Sequence, residues 1–210
     1  AYPDVICALN ALEYKTDHIK VLLYQFVTLL KNGKKLKMST RKANFITMDE
    51  LIKEVGSDVI RYFFIMRSMN THLDFDINVA KDQSEKNPVY YLQYAYARIS
   101  SILRRADDIK VDLSKSDQYK KLSHTTEIYL LKHVIIFPEI IKNCMKSFEP
   151  QSIANYLQEL ANRFHKFYGS CRVISNDKQL STARLGLINA TKIVFKNGLN
   201  VLGISCPEKM

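Results

Sequence analysis

Apolar residues recur at helical spacing over the second half of the chain. Leu92, Ala95, Tyr96, Ile99, Ile102, Leu103 and Ala106 fall on one stripe. Pro88 stands just ahead of them, where a helix first turn accepts proline because that N–H has no intrahelical partner anyway. The same period runs through 122–148, where Pro138 interrupts it, through Ile153, Leu157, Leu160, Ala161, Phe164 and Tyr168, and through Leu180, Ala183, Leu187, Val194, Val201 and Leu202. Four or five helices with no strand between them predict an antiparallel bundle. The first part reads differently. VLLYQFVTLL followed by Asn32-Gly33 and KKLKMST predicts a strand and a tight turn, although the length of the apolar run also permits a helix. Thr47 and Glu50 have capping-box spacing ahead of ELIKEV and Gly56 ends the pattern, so a helix is expected over 48–55. A second helix begins at Ser57, carries VIRYFFIM and stops before the extended LDFD of 73–76. The polar run KDQSEKN marks a boundary near residue 85, between segments 1–85 and 86–210.

Composition narrows the class. With 47% hydrophobic and 25% charged residues, and only 6 Gly and 5 Pro among 210, the chain is a helix-rich globular protein rather than a collagen or a linker. No apolar run approaches a membrane span and no signal-peptide pattern is present, so a cytoplasmic protein with no membrane partner is expected. The opening AYPDVICALNALEY starts at Ala1 and reads as the interior of a larger fold, so a fragment is expected. Cys7, Cys144, Cys171 and Cys206 form no C-x-x-C pair and lie in apolar contexts. Reduced, buried thiols are expected, with no bound metal and no disulfide framework. Lys and Arg number 31 against 21 Asp and Glu, a formal charge of +10 that suits a polyanion. The 12 tyrosines point to nucleic acid in particular, because a tyrosine ring stacks on exposed bases.

The densest polar motif is Lys37-Met38-Ser39-Thr40-Arg41-Lys42. Its place after a strand and turn, ahead of a capped helix, suits a loop that closes on phosphate. Taken alone, a basic loop is more often a solvated turn. Its surroundings extend the pattern, for KMSTRKANFITMDELIKEVGSDVIRYFFIMRS resembles the signature loop of class I aminoacyl-tRNA synthetases and the segment after it in arginyl-tRNA synthetases. The resemblance continues through LDFD, NPVYYLQYAYARISSILRRA, SIANYLQELANRFHKFY with Arg172-Val173, and NGLNVLGISCPEKM, covering nearly the whole chain. It implies a mainly α protein: the tail of a Rossmann-type α/β catalytic domain over 1–85, then a helical anticodon-binding domain over 86–210. It implies too that the complete enzyme is an arginine-tRNA ligase, monomeric, using ATP with Mg2+ to attach L-arginine to tRNA(Arg).

In this family the loop acts on ATP while the arginine carboxylate attacks the α-phosphate, its cation and amides stabilising charge on pyrophosphate. The resemblance assigns catalytic roles to Lys37 and Ser39 and places Met38, Thr40, Arg41 and Lys42 in the ATP loop. Thr40 stands where the motif usually has a second Lys, which leaves Arg41, Lys42 or a residue outside this sequence to supply that cation. Ala43 replaces a usual Gly before Asn44; if that Gly adopts positive φ, Ala43 is strained or the loop differs locally. No His-Ile-Gly-His motif or arginine pocket occurs in these residues, so the chain alone is expected to be inactive. His18, His72, His124, His133 and His165 have no ligand or triad spacing.

On the first long helix Tyr91, Tyr94, Arg98 and Arg105 share a face beside the apolar stripe and offer rings and guanidinium groups to a splayed loop. The same spacing also describes core-edge tyrosines and solvated arginines. The resemblance implies that Tyr91, Arg98, Tyr168, Arg172 and Met210 line the anticodon-loop surface. Arg104 and Arg105, adjacent and so pointing in different directions, suit phosphate contacts. The alternative is a noncatalytic basic helical module that binds RNA, and the loop at 37–41 argues against it.

Overall fold

The computed structural model describes residues 2–36, 45–106 and 116–210. The loop residues Lys37, Met38, Ser39, Thr40, Arg41 and Lys42, with Ala43 and Asn44, lie outside the described residues. Helix α1 (Tyr2–Ala11) buries none of its residues. Strand β1 (Val27–Lys31) is joined to β2 (Lys34–Lys35) by Asn32-Gly33. Both turn residues take positive φ, 52° and 70°, the two-residue turn whose twist matches a hairpin. The strand begins later than the apolar run predicts, and 21–26 are exposed and outside it. The ladder starts only at Val27, where Leu73 of the parallel strand β3 (Leu73–Asp76) becomes its partner. The sheet order is β2-β1-β3.

Helix α2 (Met48–Val55) opens with the expected capping box. The Thr47 N–H donates to Glu50 Oε2 at 2.8 Å and the Glu50 N–H to Thr47 Oγ1 at 3.2 Å, hydrogen bonds that hold the Glu50 carboxyl below its ordinary pKa. Helix α3 (Ser57–Ile65) follows, and Asp76 caps the short α4 (Ile77–Lys81).

The bundle comprises α5 (Pro88–Ala106), a 3-10 turn (Ser116–Lys121), α6 (Thr125–Ile135), α7 (Phe137–Ser147), α8 (Gln151–Ser170) and α9 (Lys178–Leu202). The expected break lies just before Pro138, which falls in the first turn of α7. Helix α8 is the hub and packs on α5, α6, α7 and α9. Its Leu157, Leu160, Phe164 and Phe167 are fully buried among residues such as Leu92, Ile99 and Phe195. Helix α9 comes close because position 198 is glycine: a Cβ there would lie 2.7 Å from Leu157 Cδ2. His133 and Tyr156 lock α6 to α8, the Tyr156 hydroxyl donating to the His133 carbonyl at 2.7 Å and His133 Nε2 to the Tyr156 carbonyl at 3.1 Å. Burial lowers the pKa of His133.

Two expected stripe residues face outward instead, Tyr168 at 37% exposure and Val201 at 60%. Periodicity marks a helix face, but how far the neighbouring helix reaches decides what that face covers. The expectation of buried thiols also needs correction. Cys171 alone among the four is buried, Cys144 and Cys206 are half-buried, and Cys7 is exposed on α1, a helix with no buried residue.

Helix α3 seats the first segment on the bundle, against α5, α8 and α9. The end of α9 and the residues after it complete this junction. Asp58 Oδ2 accepts from Gln93 Nε2 at 2.9 Å, from the Ser205 N–H at 3.2 Å and from the Ser205 hydroxyl, while Arg61 Nε donates to the Leu202 carbonyl at 2.6 Å. One carboxylate therefore joins three distant parts of the chain. Asp58→Ala should lower stability by ~1–2 kcal/mol by leaving these donors without their acceptor. An unchanged thermal midpoint would show that the junction adds nothing.

Candidate nucleic-acid interface

Helix spacing places Tyr90, Tyr94 and Arg98 in one row along α5, four residues apart. The Tyr90 and Tyr94 rings are nearly parallel, 6° apart in plane, with centroids separated by 6.5 Å. The Arg98 guanidinium lies 5.7 Å from the Tyr94 ring and 5.1 Å from the Tyr168 ring, so a cation on α5 meets aromatic faces from both α5 and α8. Tyr168 in turn stacks on the buried Phe164, with centroids 6.0 Å apart. His165 sits behind this row, 4.9 Å from the Tyr91 ring and 6.1 Å from Tyr94. Burial holds His165 below its ordinary pKa.

Beyond Arg98 the row opens into a cleft of about 570 Å3 whose lining includes Ile102, Arg105, Tyr168, Cys171, Arg172 and Val173. Apolar side chains in such a lining can contact a flat ring, and its two arginines, Arg105 and Arg172, can meet phosphate or the polar edge of a base. The site is therefore chemically suited to a nucleotide of a splayed loop.

The structure divides the residues singled out from sequence. Tyr168 and Arg172 line this cleft together with Arg105, and Arg98 joins them through the Tyr168 ring. Tyr91 faces α8: its hydroxyl donates to Asn162 Oδ1 at 2.9 Å, and burial raises its pKa. Met210 lines a second cleft of about 500 Å3 with Glu54, Lys81, Tyr90 and Gln93. Tyr90 stands roughly 18 Å along α5 from Ile102, by the rise of a helix, so Met210 belongs with the start of that helix. Arg104 does not stand free for phosphate. Its guanidinium donates to the Glu208 carbonyl at 3.2 Å and lies 3.7 Å from the Glu208 carboxylate, so it secures the chain after α9. Tyr90 escaped the sequence reading, although the four-residue recurrence of Tyr90, Tyr94 and Arg98 carries the signal. Among the described residues no group of three or more His, Cys, Asp or Glu is placed to hold a metal.

Comparison with known proteins agrees with this architecture. The family profile for the DALR anticodon binding domain matches residues 92–210, more than half of the chain. That for tRNA synthetases class I (M) matches 7–91. The arginine-tRNA ligase of Salinibacter ruber is 48% identical over 210 residues, covering 100% of this chain and 37% of that protein. The arginine-tRNA ligase of Carboxydothermus hydrogenoformans is 47% identical over 205 residues, covering 97% and 37%. The chain thus spans about 37% of the length of these relatives. A solved structure of an arginyl-tRNA synthetase from Campylobacter jejuni matches with a TM-score of 0.82 and 31% identity, over 97% of this chain and 44% of that one. Thermus thermophilus arginyl-tRNA synthetase shares the fold, with a TM-score of 0.71 and 22% identity over 87% and 34% of the two chains. The chain belongs to the DALR anticodon binding domain family and is similar along its whole length to arginyl-tRNA synthetases.

Proposed function

We propose that this chain serves an arginine-tRNA ligase by holding the anticodon loop of tRNA(Arg) on its bundle and by carrying the loop that acts on ATP. The observation that supports the first role is the Arg98 guanidinium set between Tyr94 and Tyr168, the latter lining the cleft together with Arg105 and Arg172. These groups are already ordered against one another, so a base that stacks on them loses less freedom on binding than one meeting loose side chains. The charge of +10 draws any tRNA to the surface, and the cleft discriminates.

In the complete enzyme, ATP enters as a substrate with Mg2+ on its phosphates, beside L-arginine. Lys37 and Ser39 stabilise charge on departing pyrophosphate, with Met38, Thr40, Arg41 and Lys42 completing the loop. Segment 1–85 belongs to the catalytic domain and 86–210 to the anticodon domain, in a cytoplasmic monomer. Resemblance of the motif and its order along the chain supports these assignments.

Filter binding at two salt concentrations tests the anticodon role. Arg98→Ala or Tyr168→Ala should cost about 1–3 kcal/mol for tRNA(Arg) and much less for the same transcript with an exchanged anticodon. Equal weakening of both RNAs would place base reading elsewhere.

A further inference from the structure

Glu127 is a carboxylate with 1% side-chain exposure inside a helical bundle, and its partner Arg184 is 12% exposed. Replacing a buried ion pair by apolar side chains of similar volume is often neutral or stabilising, so stability alone does not account for this one. What the pair holds is more informative. Glu127 Oε1 accepts from Arg184 Nε at 2.6 Å, while Oε2 accepts from the N–H groups of Ser123 at 2.9 Å and His124 at 2.8 Å. With both oxygens engaged at the N-terminus of α6, the carboxylate is a fixed point for Arg184. The other arm of that guanidinium, Nη1, donates to the backbone carbonyl of Arg172 at 2.8 Å.

Arg172 lies in the turn between α8 and α9, outside any helix, and lines the cleft of about 570 Å3. The turn is tied at its start by the Cys171 N–H donating to the Phe167 carbonyl at 2.8 Å, and further on by the Ser175 N–H donating to Ser181 Oγ at 2.9 Å. Arg184 supplies the anchor between those ties, at the peptide plane from which the Arg172 side chain departs. A planar guanidinium serves carboxylate and carbonyl at once in fixed directions, which a single ammonium does not.

We propose that Arg184, oriented by Glu127, is a positioning residue for anticodon reading: it fixes the peptide that aims Arg172 into the cleft. The proposal rests on the anticodon reading above. It assigns Arg184 no contact with RNA.

The test uses the 210-residue chain, a tRNA(Arg) transcript and the same transcript with an exchanged anticodon. Arg184→Lys keeps a positive charge opposite Glu127 but gives up the fork. The double variant Glu127→Gln/Arg184→Gln gives up the fork without burying an unpaired charge, and is measured in parallel in case the lysine variant folds poorly. Each should weaken tRNA(Arg) binding about tenfold and the exchanged transcript less than about twofold. Neither should weaken tRNA(Arg) further once Arg172→Ala is present, since the residue being aimed has gone. A purely structural role would instead lower both affinities together, or add its full effect to that of Arg172→Ala, and either result overturns the proposal. Unchanged discrimination in the Arg184 variants alone also overturns it while leaving the cleft reading in place. If Arg172→Ala itself leaves discrimination intact, the assignment of Arg172 to base reading falls, and the positioning role falls with it.

Discussion

Phe164→Ala should destabilise the chain by about 3–5 kcal/mol, the range for deleting a buried phenyl ring whose surroundings relax only partly. Phe164 is fully buried on α8, the helix that packs on α5, α6, α7 and α9, so a void there cannot close by moving one element. For a chain of this size the thermal midpoint should fall by roughly 6–20 °C. The effect reaches the cleft as well, because Phe164 stacks on Tyr168 and touches His165 at a centroid distance of 5.4 Å. Below its melting point the variant should therefore bind tRNA(Arg) more weakly, as Tyr168 loses its backing. Circular dichroism melts and filter binding check both parts, with Phe164→Leu expected to recover most of the stability. A loss under about 1 kcal/mol would mean that α8 is not the hub.

In the complete enzyme, Lys37→Ala should slow arginine activation by on the order of 10²-fold while leaving tRNA affinity nearly unchanged. On the proposed reading, the cation at the first position of the loop motif would act on charge that develops as pyrophosphate leaves, so its removal would raise the barrier without touching the anticodon. Thr40 sharpens the expectation, since this loop lacks the usual second Lys at that position. Arginine-dependent pyrophosphate exchange measures the activation step, and filter binding measures affinity. Arg41→Ala and Lys42→Ala, assayed alongside, identify which neighbouring cation shares the task. A parallel loss of tRNA affinity would mark a folding defect and remove the catalytic assignment of Lys37.

The elements that the sequence makes legible are those whose energetics are local. A capping box closes within three residues, as at Thr47 and Glu50, and a helix stripe repeats within four, as along Leu92, Tyr96 and Ile99. The Asn32-Gly33 turn needs only its own positive φ angles. Helix α1 carries no buried stripe, and α4 has only five residues, so neither leaves a usable period. The candidate site was legible in kind but less so in membership. Arg98 and Tyr168 are named by the sequence and meet in the structure, whereas Tyr90, one position from Tyr91, points about 100° away around the helix and takes the stacking place beside Tyr94.

Sequence by itself thus determined the main helices, the hairpin turn and a basic, tyrosine-rich surface, because hydrogen bonds and side-chain stripes within a few residues specify them. Tertiary structure alone decided which distant groups meet. Asp58 reaches Ser205 across 147 positions, Arg104 reaches Glu208 across 104, and Arg184 joins Glu127 across 57 to the carbonyl of Arg172. Such contacts depend on how helices are stacked and rotated against one another, and a periodic stripe specifies the face a helix buries without specifying which polar residue stands opposite its edge.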